Sequence, residues 1–290
     1  MTNITAAAGG DFVMGGDLRV HRMGFGAMRL PAGGFDGPPR DPSTGMAVLR
    51  RAVELGVNHI DTAGFYERGG VSASDLIRRA LAPYGEELVI ATKVGPLRGP
   101  DGVPTGQATP EQLRGLVEDD LRLLGVDRLD LVYLRIGGLS VPGGESLADR
   151  FAVLAAMREE GLIRHLGLSN VDVAQLAEAR TVAPVVAVQN HFHVQHLDDR
   201  ELLRQCAELG VAYAPFFPLG GGFSPIDAER VAKVAARHGA TNAQVALAWL
   251  LAISPVMLAI PGTGSPEHLE ENIAAAGLEL TEEDLADLEG

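Results

Sequence analysis

Asp61 and Tyr66 share the stretch DTAGFY, and Lys93 lies in the apolar run LVIATKV. Brought together, these three side chains would make an acid catalyst. A lysine cation beside a tyrosine stabilises the phenolate and lowers its pKa. An aspartate beside the lysine holds it in place, and the tyrosine can then act as a general acid near neutral pH. Singly, each has a plainer reading: an aspartate at a strand end caps a helix, a lysine snorkels to solvent, and a loop tyrosine packs with its hydroxyl wet. Arg135 stands out for another reason. The run LDLVYLR, 129–135, reads as a buried strand until the arginine interrupts it. Arginine keeps its charge, and burying it alone is expensive. Either an anion or a reaction is expected at the end of that strand, or a structural ion pair with a loop carboxylate such as Glu145 or Asp149.

Such a convergence needs a fold that brings many strand ends to one place. One pattern repeats along the chain: a short apolar run, a polar or glycine-rich stretch, then an amphipathic helix. The runs are 23–26, VNHID (57–61), LVIATKV (88–94), LDLVYLR (129–135), IRHLGLSN (163–170), VVAVQN (185–190), VAYAPFF (211–217) and VMLAIPG (256–262). Between them, segments such as TPEQLRGLVEDDLRLLG and DDRELLRQCAELG repeat apolar residues at intervals of three and four. Strict β/α alternation predicts a parallel sheet. Eight units in this length predict a closed (β/α)8 TIM barrel. The rival, an open Rossmann-type sheet, needs a glycine fingerprint that GFGAM matches poorly, so no Rossmann domain is expected. A hairpin turning at Gly15-Gly16-Asp17 precedes the barrel. Residues 1–10 read as a flexible tail and 11–290 as one domain.

Barrel active sites lie at the C-terminal strand ends. There the pattern places Asp61, Lys93, Arg135, Ser169 with Asn170, Gln189 with Asn190, Phe216 with Phe217, and Pro261-Gly262-Thr263.

Bulk properties narrow the function. Of 290 residues, 46% are hydrophobic but only 5% aromatic, so aliphatic side chains must fill the core. A net charge of −14 argues against nucleic acid as a partner. The one cysteine, Cys206, rules out an intrachain disulfide and reads as a buried small hydrophobe. Metal-ligand spacing, a signal peptide and a membrane span are not expected. The expectation is a cytoplasmic monomer acting on a small molecule.

At this level the chain resembles the aldo-keto reductase family. The landmarks DTAGFY, ATKVG, GLSN, VQN, PFFPL and IPGT…EHLEEN fall in the family's order and span almost the whole sequence. The resemblance implies reduction of an aldehyde or ketone, a small-molecule carbonyl substrate, with NADPH (NADP+) bound extended across the barrel mouth. It makes Tyr66 the proton donor and gives Lys93 and Asp61 the task of tuning it. It assigns Ser169, Asn170 and Gln189 to the nicotinamide carboxamide and Phe216 to stacking on the ring. Phe217, Pro218, Leu219, Gly220 and Gly221, with Gly222, would follow the pyrophosphate. Gly262, Thr263, Ser265, His268, Glu271 and Asn272 would surround the adenosine, and Gly26, Ala27 and Met28 complete the cofactor set.

Two departures matter. Arg135 stands where the family has a catalytic histidine; His165, early in the next strand, does not replace it by position. Arginine cannot relay a proton near neutral pH. It can stabilise a developing alkoxide or pair with an anionic substrate group. The sequence resembles a branch of the family associated with pyridoxal reduction, which also lacks this histidine and keeps LR in this strand. Second, Gly262 replaces the lysine that many members direct at the 2′-phosphate. Thr263, Ser265, His268 and the helix beginning at Pro266 are left for that task, opposed by Glu267 and Glu271. NADPH is the expected cofactor, and NADH is possible. The competing readings are a cofactor-binding sensor with little turnover and a biosynthetic ketoreductase for a specialised substrate. The loops 29–43, 93–107, 137–146 and 220–227 are rich in Gly and Pro. They suggest an open mouth, and an ending at Gly290 suggests broad substrate discrimination.

Overall fold

The structure is a computed structural model that describes residues 4–34, 37–99, 104–137, 142–223, 225–226 and 228–289. Parts of all four substrate loops (35–36, 100–103, 138–141, 224 and 227) lie outside the described residues, as do 1–3 and 290.

Seven parallel strands form one curled sheet: β1 (Phe25–Gly26), β2 (His59–Asp61), β3 (Val89–Val94), β4 (Leu129–Arg135), β5 (Ile163–Ser169), β6 (Ala187–Gln189) and β7 (Ala212–Tyr213), each beside the next. The expected eighth run, 256–262, closes the ring through isolated bridges. Met257 bridges Tyr213 on one side and Ala259 bridges Met23 on the other, both in parallel. Gly24 N–H donates to the Ala259 carbonyl at 2.8 Å. The architecture is therefore the (β/α)8 barrel.

Two packing problems are solved separately. The inner faces of the strands alternate small and large residues: Ala91, Ala187, Ala212 and Ala214 leave room for Leu131, Tyr133 and Leu258. Gly167 belongs to the same economy, because a methyl group there would stand 2.6 Å from the Tyr133 ring. Outside, the helices bury an aliphatic layer against the sheet, with Leu49, Leu113, Leu154 and Leu247 among its fully covered side chains. Their ends follow local chemistry. Asp172 with Gln175 and Thr241 with Gln244 form reciprocal caps. Gly210 ends the helix Arg200–Leu209 at φ 65°, where a β-carbon is disfavoured.

The hairpin Asp11–Met14 with Leu18–His21 turns at Gly15 and Gly16, both at positive φ. Met14, Leu18 and Val20 enter the inner cluster, so the hairpin plugs the N-terminal end of the barrel. His165 packs there too, its ring nitrogen 2.5 Å from Asp17 and far from the strand C-termini. Part of the segment read as a flexible tail is ordered. Ala6–Gly9 forms a 3-10 turn in which Ala6 is fully buried and donates to the Leu55 carbonyl. Alanine and glycine carry no periodic apolar signal, so this docking is visible only in three dimensions.

Candidate active site

Register decides which side chains meet. Arg135 pairs with Ser169, and Ser169 pairs with Gln189, so one row crosses β4, β5 and β6. Asp61 pairs with Gly26 on one side and Ala91 on the other. Partners in register point to one face of a sheet, here the barrel interior at its C-terminal rim.

Lys93 is the hub. Its ammonium donates to Asp61 Oδ2 at 2.5 Å and to the Thr62 carbonyl at 3.0 Å. It also lies 4.9 Å from the centre of the Tyr66 ring. Two of its three N–H groups thus find acceptors, and the charge faces the Tyr66 ring. Only 2% of Lys93 is exposed. Burial works against its charge, but Asp61 and Tyr66 outweigh it and hold the ammonium above the ordinary lysine value.

Tyr66 departs from expectation. Proximity to Lys93 was expected to lower its pKa. Burial of the phenolate dominates instead, and the group stays above the ordinary tyrosine value despite the nearby Lys93 and Arg135 charges. Asp61, a carboxylate behind the lysine, adds to the upward push. Tyr66 is therefore an acid that keeps its proton until a stronger base appears.

Gln189 also departs. Its amide nitrogen donates to Asp61 Oδ1 at 2.7 Å, so both oxygens of that carboxylate are spoken for inside the protein. Gln189 Oε1 is left buried without a partner. The Tyr133 hydroxyl and both His59 ring nitrogens are buried in the same condition.

Arg135, 7% exposed, donates to Ser169 Oγ at 2.9 Å and places Cζ 4.6 Å from the centre of the Phe216 ring. Glu145, one of its two expected loop partners, is instead taken by Arg150 at 2.9 Å. Phe216 stacks on His191 with ring centres 5.6 Å apart, and His191 stacks on His196 at 4.0 Å. Sequence reading missed this histidine column; the spacing HFHVQH held the signal. Asn170 adopts φ 61°, which asparagine tolerates, and its amide donates to the Ile136 carbonyl at 2.9 Å.

A cavity of about 500 Å³ joins these groups. It runs from Asp61, Tyr66 and Arg135 past Phe216 to Gly26, Met28 and Gly262, with Phe217–Leu219, Gly221 and Gly222 along its wall. Gly221 lies at φ 62°, and a methyl group there would collide with the Phe217 ring at 2.6 Å. Gly262 approaches the Gly26 carbonyl so closely that a β-carbon would stand 2.5 Å from its oxygen. Beyond it, Ser265 caps the helix Pro266–Ala274, Asn272 is buried, and Glu271 accepts a hydrogen bond from Thr241 at 2.6 Å. His268 is exposed at the first turn of that helix.

An elongated cavity over the C-terminal mouth of a (β/α)8 barrel, ending on a Lys-Asp-Tyr cluster, defines a barrel oxidoreductase. Residues 22–290 match the aldo/keto reductase family, and the chain belongs to it. It is 48% identical to pyridoxine 4-dehydrogenase of Escherichia coli K12 over 277 residues, covering 95% of this chain and 96% of that protein. A thermostable aldo-keto reductase solved with epalrestat superposes with TM-score 0.79 at 31% identity, covering 96% of this chain and 98% of that one. A Klebsiella pneumoniae aldo/keto reductase solved with NADP and acetate gives TM-score 0.78 at 25% identity, covering 96% and 93%. Among the described residues no helix is long and apolar enough to cross a membrane.

Proposed function

We propose that the protein reduces an aldehyde with NADPH, that Tyr66 gives the proton to the carbonyl oxygen, and that pyridoxal is a substrate. The observation that carries the reading is the buried Lys93 ammonium, bonded to Asp61 and 4.9 Å from the Tyr66 ring centre, at the end of the cavity. A binding module has no use for so costly an arrangement.

Two features suit the cofactor. Gln189 Oε1 is a buried acceptor without a donor, which a carboxamide N–H would satisfy. Gly221, Gly222 and Gly262 line the cavity with backbone alone, where β-carbons would clash with Phe217, Arg29 and Gly26, and a dinucleotide needs that closeness to backbone. Ser169, Asn170 and Gln189 hold the nicotinamide end, and Phe216 offers its ring face. Phe217 to Gly222 line the diphosphate, and Thr263, Ser265 and Asn272 stand near the adenosine. When bound, NADPH supplies the hydride. The chain's own residues do the rest. Tyr66 holds a proton toward the carbonyl oxygen and releases it as negative charge develops there. Lys93 then stabilises the phenolate it leaves, while Asp61, fixed by Gln189, keeps Lys93 charged and in place. Pyridoxal carries an ionisable phenol beside its aldehyde. The Arg135 guanidinium pairs with that phenolate and orients the aldehyde toward Tyr66, a role consistent with the pyridoxine 4-dehydrogenase relative.

The test is NADPH oxidation with pyridoxal, beside a neutral aromatic aldehyde, in wild type, Tyr66→Phe and Arg135→His. Turnover must require Tyr66. Arg135→His must reduce pyridoxal turnover far more than that of the neutral aldehyde. Equal losses remove the anion-pairing role, and Tyr66-independent turnover removes the acid.

A further inference from the structure

The strand that closes the barrel delivers Gly262 to the far end of the cavity, Thr263, Gly264 and Ser265 follow it in the chain, and none of the four is charged. A cation reaches this place from the other side of the barrel seam. The guanidinium of Arg40, in the loop before the helix Pro42–Glu54, is pressed against Gly264. A β-carbon on Gly264 would lie 2.7 Å from both Cζ and Nε of Arg40 and 2.9 Å from Nη1. On another side, a β-carbon on Gly33 would come within 3.2 Å of Nη2. Two glycines thus make the space that the guanidinium occupies. Arg40 Nε is buried without a hydrogen-bond partner, and among the described residues no carboxylate pairs with Arg40.

A second arginine stands close by. Arg29 lines the cavity and is anchored on the carbonyl oxygens of Gly33 and Gly221. Burial pushes its pKa down, and the charge of Arg40 pushes it the same way. Two like charges held together against burial create a local field that favours an anion, in a chain whose net charge is −14. Hydroxyls complete the surroundings. Thr263 Oγ1 accepts from Ser265 N–H at 3.0 Å, and Ser265 Oγ accepts from His268 N–H at 3.4 Å. Each hydroxyl keeps its own hydrogen to donate. Of the two carboxylates that oppose an anion here, Glu271 is turned to Thr241 at 2.6 Å, and Glu267 is exposed on the first turn of the helix Pro266–Ala274.

We infer that Arg40 holds the 2′-phosphate of NADPH, with Thr263 and Ser265, and so selects NADPH over NADH. This rests on the cofactor reading above. It assigns the selecting cation to a loop far away in sequence, where Gly262 and Gly264 offer none.

The test is direct binding of NADPH and of NADH, read by quenching of protein fluorescence, in wild type, Arg40→Gln and Gly264→Ala. The alanine methyl group must displace the guanidinium without removing it. Both variants are expected to weaken NADPH at least tenfold and to leave NADH within twofold of wild type. Unchanged NADPH affinity in Arg40→Gln, or equal weakening of both cofactors, overturns the assignment while leaving the cofactor reading intact. A wild type that binds neither cofactor overturns both.

Discussion

The Arg135 guanidinium donates to Ser169 Oγ at 2.9 Å while standing 4.6 Å above the Phe216 ring. One side chain thus engages both groups proposed to hold the nicotinamide, the hydroxyl that would meet its amide and the ring that would stack on it. A nicotinamide seated on the Arg135 side of these two groups would compete with the guanidinium for them. Removing the charge removes that competition. Arg135→Met is expected to bind NADPH roughly tenfold to a hundredfold more tightly, the value of one charge-assisted hydrogen bond, while its pyridoxal turnover falls. Fluorescence titration checks the first and steady-state assay the second. Weaker NADPH binding in this variant would mean that Arg135 holds the cofactor rather than yielding to it.

Tyr66→Phe keeps the ring and removes the proton. General acid catalysis contributes roughly 10²–10⁴-fold, so kcat should fall by that order with NADPH affinity nearly unchanged. Single-turnover kinetics with aldehyde in excess separates the two quantities.

The raised pKa of Tyr66 separates the two directions of the reaction. Reduction needs the protonated phenol and should be flat through neutral pH. Oxidation of the alcohol needs the phenolate and should keep climbing as pH rises toward and beyond the ordinary tyrosine value of about 10. Initial rates in both directions across that range decide it. An alcohol-oxidation plateau already reached near neutral pH would contradict the raised value.

Lys93 and Asp61 are almost wholly buried and depend on each other. Lys93→Met leaves a buried carboxylate with only Gln189 as donor and should cost about 3–5 kcal/mol of stability. Adding Asp61→Asn should restore much of that loss without restoring activity. Urea denaturation of the two single variants and the double variant forms the cycle.

His59 is fully buried, both ring nitrogens lack partners, and its pKa is pushed down to about 4 by burial. Its unfolded value is near 6.5. Between those values the unfolded chain binds the proton and the folded one does not, so this residue makes stability fall as pH drops from 6.5 toward 4. Asp199, pushed up to about 6, works in the opposite sense. The test is therefore a difference. Relative to wild type, His59→Asn should gain roughly 3 kcal/mol on going from neutral pH to pH 4, read from urea midpoints. No differential pH dependence would mean that the buried imidazole takes up its proton inside the fold.

The chain determined by itself whatever depends on periodicity and order. LDLVYLR became β4 residue for residue, IRHLGLS became β5, and the alternation of runs and helices closed into a barrel because each amphipathic helix needs a strand to cover. The residues at the strand ends, Asp61, Lys93, Arg135, Ser169 and Gln189, were legible for the same reason. Tertiary structure decided which of their atoms pair. Gln189 turned its amide to Asp61, burial overrode Lys93 in setting the acidity of Tyr66, and Ala6–Gly9 docked without an apolar pattern. It also brought Arg40 to Gly264 across the barrel seam. Strand and helix periods are properties of neighbours along the chain. Desolvation, charge proximity and the space beside a missing β-carbon depend on residues far apart in sequence, and these exist only once the barrel has closed.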